Sequence, residues 1–275
     1  MIFGRGRAGT SFAAALAEVG WSIELVSSHS LDASARLTDA ELVLLTVSDA
    51  AIGDVADRLA ERHRSLTAVV AHVSGACDLD VLAAHPRVGS IHPLMSLPDA
   101  ETGARRLLDR CTFAIDGDPL IDAVVADLGG RAIRVTGSRR ALYHATASVA
   151  ANHLTALCAQ VERLAASVDV PVDAYWTMMR TTLENVEERG PGAALTGPAA
   201  RADWPTIRSH LAALPSDEQR LYLVLCEGAA TLAGHDLPDD LAAQLDGAPS
   251  TPTEPRFTTG SVATNASDSS KDRHT

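Results

Sequence analysis

Short apolar runs alternate with amphipathic segments over the first half of the chain. The apolar runs are strand-like in length and composition, and they occupy Met1–Phe3, Ser22–Val26, Leu42–Val47, Thr67–Val73, Arg87–Ile91, Thr112–Ile115 and Ala132–Val135. The helical patterns between them occupy Ala8–Val19, Asp49–Arg62, Leu79–Ala84 and Leu120–Leu128. Because strands and helices that alternate at this spacing place helices on both faces of one sheet, the pattern predicts an α/β domain with a mostly parallel sheet over residues 1–136.

The pattern changes after Gly137. No Gly or Pro occurs between Ala141 and Val168, so this stretch predicts one long helix of about 40 Å at 1.5 Å per residue. Further helices are predicted near residues 172–189, 205–213 and 216–233, which together give an all-α C-terminal domain over 137–246. From Gly247 onward Ser, Thr, Pro, Gly and Asn replace the large apolar residues, and this composition predicts a disordered tail over 247–275.

The composition favours a globular protein and argues against two classes of partner. Hydrophobic residues make up 46% of the chain, which can build a core, and the formal net charge is −12. Nucleic acid and anionic lipid attract clustered Lys and Arg, so we expect neither a nucleic-acid partner nor a membrane. No run approaches the roughly 20 apolar residues of a membrane helix, and the N-terminus lacks the basic segment of a signal peptide. We therefore expect a cytoplasmic protein.

Two residue types restrict the chemistry further. The four cysteines, Cys77, Cys111, Cys158 and Cys226, are far apart and form no C-x-x-C pair. This spacing argues against a zinc site or a disulfide framework, so we predict no metal. Lys271 is the only lysine, and it lies in the predicted tail. The predicted domains thus contain no lysine that could act as a general acid or form a Schiff base.

A glycine-rich segment joins the first predicted strand to the first predicted helix. It reads Gly4-Arg5-Gly6-Arg7-Ala8-Gly9, and a second strand follows about a dozen residues later. In the G-x-G-x-x-G pattern the first glycine allows a tight turn, the second lets a pyrophosphate approach the backbone, and the third lets helix and strand pack closely. The free N–H groups at the helix N-terminus would then bind the phosphates. We interpret the segment as the dinucleotide loop of a Rossmann domain, the alternative being an ordinary glycine turn.

The end of the second strand bears on the choice between NAD and NADP. The chain continues Val26-Ser27-Ser28-His29-Ser30, with no acidic residue before Asp32 to bind a ribose 2′-hydroxyl. The hydroxyls of Ser27 and Ser28 suit a 2′-phosphate, and Arg5 or Arg7 could assist. We therefore expect NADP as the cofactor rather than NAD, unless these are merely loop residues.

The ends of the next strands would line the ligand crevice, because ligands of open α/β sheets bind at the carboxyl ends of the strands. Thr46, Val47 and Ser48 follow the third strand and are predicted to lie beside the cofactor. Ser74 and His92 follow the fourth and fifth strands, and either could hydrogen-bond a substrate carbonyl or carboxylate. Alternatively, each of these two residues has only a structural role, either in a turn or as a buried polar group whose hydrogen bonds are made within the core.

The predicted long helix carries a polar stripe. Arg140, His144, Ser148 and Asn152 recur every four residues on one helix face, and no formal charge occurs between Ala141 and Ala159. Buried polar groups need partners, so the stripe faces a site, a subunit interface or an internal structural network. We favour a site, with His144 and Asn152 as catalytic residues and Ser148 in contact with substrate.

Several motifs in order along the chain resemble one bacterial family. They are Val73-Ser-Gly-Ala76, Ser90-Ile-His-Pro-Leu94, Phe113-Ala-Ile-Asp-Gly117, Tyr143-His144, Asn152, Leu183-Glu-Asn185 and Ala194-Leu-Thr-Gly-Pro198 with Arg201 and Asp203. The family joins a Rossmann-like domain to a helical C-terminal domain of unknown function, within the 6-phosphogluconate dehydrogenase-like superfamily. The resemblance implies an NADP-type reductase or dehydrogenase architecture and a homodimer formed through the helices, without indicating a substrate. Related β-hydroxyacid dehydrogenases use a lysine on the long helix, where this chain has His144 and Asn152.

Together these features predict an oxidoreductase that transfers hydride between NADP and the carbonyl of a small organic acid. His144 or His92 would donate the proton, since imidazole can do so near neutral pH. Asn152 would orient the carbonyl or a water, and Arg201 would hold a substrate carboxylate. The alternative function is a dinucleotide-binding sensor or scaffold without turnover, which the missing lysine keeps open.

Overall fold

The computed structural model describes residues 1–27 and 37–247 of the chain. It divides into two compact units, Met1–Leu164 and Ala165–Thr275. The first unit ends later than the predicted domain boundary at residue 136, because it includes most of the predicted long helix. The predicted cofactor residue Ser28 and the tail from 248 to 275 lie outside the described residues.

The first unit is built on a seven-stranded sheet in the order β2-β1-β3-β4-β5-β6-β7. The strands are β1 (Ile2–Phe3), β2 (Leu25–Val26), β3 (Leu42–Leu45), β4 (Val69–His72), β5 (Val88–Pro93), β6 (Thr112–Gly117) and β7 (Arg131–Arg134). All neighbouring strands are parallel except β5 and β6, which are antiparallel. The predicted mostly parallel α/β architecture is confirmed.

Helices cover both faces of this sheet, and each face has its own core. The helices before the long helix are α1 (Arg7–Glu18), α2 (Asp49–Arg62), α3 (Ala100–Leu108) and α4 (Leu120–Asp127), with 3-10 turns at Leu37–Asp39 and Leu79–Leu82. Along β3, Leu42 and Leu44 belong to one buried cluster and Val43 and Leu45 to the other. Because successive side chains of a strand point to opposite faces, an unbroken apolar run such as β3 is the expected sequence of a strand buried on both sides.

The second strand is much shorter than predicted. Its prediction was Ser22–Val26, whereas only Leu25 and Val26 form β2. Within the described residues β2 pairs only with β1, through Ile2 opposite Leu25 and Phe3 opposite Val26. A strand at the sheet edge extends only as far as its partner, so the two residues of β1 limit its length.

The predicted long helix is continuous but not uniform. It consists of α5 (Arg139–Ser148), a π-helical turn at Val149–His153 and α6 (Leu154–Ser167). A π turn inserts an extra residue per turn, so it shifts the helix face that follows relative to the face before it. A four-residue step advances a regular α-helix by about 400°, so the polar stripe drifts by about 40° per step even without the π turn. The spacing alone therefore does not fix the face of Asn152, which lies within the π turn, relative to Arg140.

The second unit is helical in all its regular elements among residues 165–247. Its helices are the end of α6, α7 (Asp173–Arg189), α8 (Pro191–Ala194), α9 (Trp204–Ala213), α10 (Ser216–Leu232) and α11 (Asp239–Gly247), with a 3-10 turn at Ala199–Arg201. Ile207, Leu211 and Leu223 from α9 and α10 form its core with Leu241 from α11. The helix α11 was not predicted, and it ends at Gly247, where the predicted tail begins. No helix in the described parts of the chain is both long and apolar enough to span a membrane.

A glycine lies where helices α1 and α3 pack against each other. Helix α1 packs along α3, and Gly103 of α3 lies against Ser11 of α1. A Cβ at Gly103 would lie 2.0 Å from the Ser11 hydroxyl oxygen and 2.7 Å from its Cβ. The Ser11 hydroxyl lies within hydrogen-bond distance of the carbonyl oxygens of Arg7 and Asp99, at 2.7 and 3.0 Å, and donates its one proton between them. The hydroxyl therefore cannot move aside without weakening that hydrogen bond.

We expect Gly103→Ala to lower the free energy of unfolding by about 1–3 kcal/mol, the usual cost of overpacking a tight contact. The matched control is Gly53→Ala in α2, where a Cβ would meet nothing within 4 Å. Alanine there should raise stability by about 0.5–1 kcal/mol, because glycine loses more backbone entropy in a helix. Urea unfolding of both variants checks this, and equal effects would contradict the assigned α1–α3 contact.

Candidate active site

The predicted dinucleotide loop lies where the strand order of the sheet reverses, between β1 and β3. Gly4 has a φ of +118°, and a Cβ there would lie 2.7 Å from the carbonyl oxygen of Thr46. A Cβ at Gly9 would lie 1.9 Å from the carbonyl oxygen of Gly4. Neither position accepts a side chain, so both glycines are required by the close approach of β1, α1 and the end of β3.

The middle glycine has the opposite environment. A Cβ at Gly6 would meet nothing within 4 Å, so the backbone there is open to a ligand. Gly6 is also the N-cap of α1, which has no side-chain cap and no acidic residue in its first turn. The positive end of the helix dipole is therefore not compensated locally, and a phosphate is the group that such an end binds. Arg7 and Ala8 form the first helical turn.

Two further residues, Arg5 and Ser27, connect this region to β2. The exposed Arg5 donates from its guanidinium to the carbonyl oxygen of Leu25, at 3.3 Å, so its side chain extends to the end of β2. Ser27 follows the same strand and is half-buried. These residues lie where a dinucleotide's adenosine ribose binds in sheets of this type. The loop, the open Gly6 and Arg5 together fit a phosphorylated dinucleotide.

The residues that follow β3 differ in exposure: some are buried contacts of the fold, and one is exposed. The Thr46 hydroxyl is buried and lies 3.0 Å from the carbonyl oxygens of both Phe3 and Gly4, so it fixes the loop to β3. Val47 packs partly against a core cluster, while Ser48 is exposed and is the N-cap of α2. Asp49 is the first residue of α2.

Arg140, the first residue of the polar stripe, is buried and joins three strands to α5. Its guanidinium donates to the Ser90 hydroxyl at 2.9 Å, to the Ser74 carbonyl oxygen at 2.9 Å and to the Val135 carbonyl oxygen at 3.1 Å. Its side chain is only 1% exposed, and its Nε is buried without a partner. No carboxylate within the described residues pairs with it. For Arg140, the internal structural network is therefore the correct alternative among those that the stripe allowed.

Ser74 has a defined role in its turn. Its hydroxyl oxygen accepts hydrogen bonds from the backbone N–H groups of Ala76 and Cys77, at 3.1 and 3.0 Å. Its own N–H donates to Nδ1 of His72 at 3.2 Å. The side chain is 4% exposed. These contacts shape the loop after β4, and a catalytic role for Ser74 stays a prediction.

Three ring side chains gather beside this loop. Nδ1 of His92 lies 2.6 Å from the Tyr143 hydroxyl, and the two rings meet edge to face. The His92 and His144 rings are 6.0 Å apart, centre to centre. A Cβ at Gly75 would lie 2.7 Å from Nδ1 of His144 and 3.0 Å from Nε2 of His92. The bare backbone of Gly75 thus leaves the space that both imidazoles occupy.

Burial and one cation set the protonation of this cluster. Burial, then the neighbouring His144, then Arg140 lower the pKa of His92 to about 4. Burial raises the pKa of Tyr143 to about 12, and the charge of Arg140 opposes that rise. Burial and Arg140 likewise lower the pKa of His72 to about 4. His92 is therefore a neutral imidazole and Tyr143 a neutral phenol at neutral pH.

The other predicted site residues have varied positions. In the first unit, His144 and Ser148 are half-buried, and Asn152 is exposed within the π turn. Arg201 is an exposed residue of the second unit, at the end of a 3-10 turn. The roles assigned to these four residues stay predictions.

Sequence reasoning missed Tyr143 as a site residue. It was noted only as part of the Tyr143-His144 motif, although it lies beside the polar stripe. The signal was available, because a tyrosine in a helix segment without formal charges needs a partner for its hydroxyl when it is buried. Among residues 1–27 and 37–247 no group of three His, Cys, Asp or Glu side chains is placed to hold a metal ion.

Comparison with known proteins agrees with this architecture. Residues 111–228 match the family model of DUF2520, a domain of unknown function. Curated protein sequences give no match to the chain. The predicted resemblance to Rossmann-like proteins with a helical C-terminal domain of unknown function is confirmed.

Solved structures share the fold at low sequence identity. A proposed NADP oxidoreductase from Bacteroides fragilis is 23% identical, with a TM-score of 0.70 over 84% of this chain and 96% of that one. A protein from Thermotoga maritima is 21% identical, with a TM-score of 0.64 over 85% and 97%. A Plasmodium falciparum pyrroline carboxylate reductase with NADP bound is 9% identical, with a TM-score of 0.52 over 84% and 97%. At these identities the likeness establishes the fold.

The buried His72 predicts a pH-dependent stability. Its folded pKa of about 4 lies below the ordinary 6.5, so the unfolded chain binds the proton more tightly. The stability is complete above pH 6.5 and falls as the pH drops toward 4, by about 3 kcal/mol between pH 7.5 and pH 4. His72→Asn keeps an acceptor for the Ser74 N–H but removes the titrating ring. Urea unfolding at both pH values measures the free energy of unfolding. Its loss between pH 7.5 and pH 4 should be smaller in the variant by that amount. An equal loss in both proteins would contradict the lowered pKa of His72.

Proposed function

We propose that this protein is an NADP-linked oxidoreductase that transfers hydride between the cofactor and the carbonyl of a small organic acid. The observation that carries the proposal is the combination of the open Gly6 backbone with the uncapped N-terminus of α1, at the strand-order reversal. A dinucleotide is the ligand that this combination binds. The polar ring cluster after β4 and β5 lies in the same compact unit and provides groups for proton transfer.

The chain's own residues define how the cofactor would be held. Gly4, Gly6 and Gly9 would shape the loop around the pyrophosphate, with the N–H groups of Arg7 and Ala8 toward its oxygens. Thr46, Val47 and Ser48 would flank the cofactor at the end of β3. When bound, a nicotinamide dinucleotide supplies or accepts the hydride.

The preference for NADP over NAD rests on the end of β2. The Arg5 side chain reaches the carbonyl oxygen of Leu25. Within the described residues no carboxylate pairs with Arg5. No acidic residue follows β2 before Asp32. A guanidinium binds a phosphate through charge-assisted hydrogen bonds, whereas an acid would repel it. The names of two structural relatives, an NADP oxidoreductase and a reductase with NADP bound, are consistent with this preference.

Substrate would be bound and protonated by the polar groups of the cluster and the long helix. His92 and His144 are the candidate proton donors. Ser148 and Asn152 would contact and orient the substrate, and Arg201 would bind its carboxylate. A homodimer formed through the helices belongs to the same proposal, because Leu142 and Val149 on the long helix are 74% and 55% exposed. A mass in solution of twice the 28.8 kDa chain would support it, and a stable monomer would refute it.

The competing function is a dinucleotide-binding sensor or scaffold without turnover. The observation that favours it is the absence of lysine from residues 1–270, since related dehydrogenases use a lysine on the long helix. Steady oxidation of NADPH with any member of a panel of small keto acids would exclude the sensor. Tight binding of NADPH without turnover across that panel would favour it.

We expect calorimetric titration to show tighter binding of NADPH than of NADH. Arg5→Ala should weaken NADPH binding about tenfold, the scale of one charge-assisted hydrogen bond, and leave NADH binding unchanged. Arg58→Ala is the matched control, because Arg58 lies on α2 and pairs with Asp54 at 3.5 Å. A preference for NADH, or an equal loss for both cofactors in Arg5→Ala, would overturn the NADP assignment.

A further inference from the structure

We propose that Tyr143 and His92 form a proton relay, in which the Tyr143 hydroxyl donates to Nδ1 of His92 and the N–H at Nε2 protonates the substrate oxygen. The inference rests on the proposed function and deepens it, because it assigns the proton donor and adds Tyr143 to the site. The pair connects two distant parts of the chain, with His92 on β5 and Tyr143 on α5.

The geometry fits a short and well-directed hydrogen bond. The Tyr143 oxygen and Nδ1 of His92 are 2.6 Å apart, and the two rings are perpendicular with centres 5.6 Å apart. Nε2 of His92 lies on the other side of the ring from Nδ1, and a Cβ at Gly75 would be 3.0 Å from it. The imidazole thus has one nitrogen engaged by the phenol and the other beside the backbone of Gly75, where Nδ1 of His144 also lies 2.7 Å from that Cβ position.

The direction of this hydrogen bond follows from the chemistry of its two groups. Both are neutral at neutral pH, since the pKa of His92 is lowered to about 4 and that of Tyr143 is raised to about 12. Between a neutral phenol and a neutral imidazole, the phenol is the stronger acid and the unprotonated ring nitrogen the better acceptor. Tyr143 is therefore the donor, Nδ1 is the acceptor, and the ring proton of His92 is on Nε2.

The relay balances the proposed reaction. When the carbonyl carbon receives hydride from the reduced nicotinamide dinucleotide, the π electron pair of the C=O bond moves onto oxygen, which then needs a proton. The Nε2–H bond breaks toward that oxygen while Nδ1 takes the Tyr143 proton, so His92 stays neutral throughout. The products are the alcohol, the oxidised dinucleotide, a neutral His92 with its proton on Nδ1, and a tyrosinate. Return of the Nδ1 proton to Tyr143 and uptake of a solvent proton at Nε2 then restore the starting state. Without Tyr143, the same step would leave an imidazolate, a far less stable anion.

Arg140 partly offsets the cost of forming a tyrosinate in a buried position. Its guanidinium is buried, and its charge opposes the effect of burial, which still raises the pKa of Tyr143 to about 12. The other groups acting on Tyr143 and His92 are Cys111, His144 and Asp49. Asp49, the one carboxylate among them, has its effect on His92 rather than on Tyr143, so the cation's field at the phenol is not cancelled. Arg140 is thus a positioning residue that acts through Tyr143.

His144 is the alternative donor, and the test must separate the two histidines. Its Nδ1 is buried without a hydrogen-bond partner and lies against Gly75. It has no phenol to replace a proton that it gives up. His144 is therefore better suited to contact the substrate than to relay protons.

The first test is nitrogen-15 NMR of the histidine rings in the cofactor-free full chain, with His92→Gln used to assign the His92 signals. We expect the His92 ring to be neutral at pH 6 and protonated at Nε2 only. Tyr143→Phe should convert it to a mixture of both tautomers, because Nδ1 loses its donor. Tyr222→Phe is the matched control, since Tyr222 forms a similar pair with His210 at 2.7 Å and should leave the His92 signals unchanged. A proton on Nδ1 of His92 in the wild type would overturn the relay.

The second test is NADPH oxidation by the same variants, using the keto acid that the substrate panel identifies. We expect Tyr143→Phe to lower kcat by about 10²-fold with KM nearly unchanged, the scale of losing general acid catalysis, and Tyr222→Phe to keep wild-type rates. Wild-type kcat in Tyr143→Phe would refute the relay while the oxidoreductase stands. Absence of NADPH binding in the wild type would instead refute the proposed function, whatever the NMR tautomer. Thermal unfolding confirms that Tyr143→Phe, which loses one oxygen atom, is folded.

Discussion

The first unit depends on one buried cation, the guanidinium of Arg140. It hydrogen-bonds the ends of three separate strand segments, through Ser74 after β4, Ser90 within β5 and Val135 after β7. A guanidinium has donors in a fixed planar fork, so satisfying three acceptors fixes their relative positions. The same residue is the second of α5, and its contacts therefore also fix the start of the long helix on the sheet.

A buried charge without a carboxylate partner is costly, and its electrostatic effects extend to its neighbours. The positive charge of Arg140 adds to burial in lowering the pKa values of His72 and His92, and it counteracts burial at Tyr143. His72 and His92 are therefore neutral imidazoles near a permanent cation. Such a site favours ligands or transition states that develop negative charge, because an anion would compensate the guanidinium. An oxyanion formed at a carbonyl oxygen is a group of this kind.

The sequence predicted best those features that depend on local pattern. The strands β3 and β4 are unbroken apolar runs, and Gly4 and Gly9 have the close contacts that their spacing in the loop implied. The predictions were wrong or incomplete where the length or direction of a strand depends on the neighbouring strand. The length of β2 is set by β1, and the antiparallel entry of β6 follows from pairing with β5 rather than from its own residues. Helix α3 was not predicted, although Asp99 at its N-cap, which accepts from the N–H of Thr102, was a readable signal.

The candidate site shows the same contrast between features that local sequence predicts and features that depend on distant partners. The four-residue spacing identified Arg140 and His144 as one polar stripe, but spacing cannot distinguish a residue that binds the protein's own backbone from one that faces a ligand. Arg140 is the former, because the acceptors that surround it come from strands far away in the sequence. Tyr143 was overlooked for the same reason: its partner His92 is 51 residues away, on another element. The chemistry of this site is therefore a property of the pairing between β5 and α5, and neither segment contains it alone.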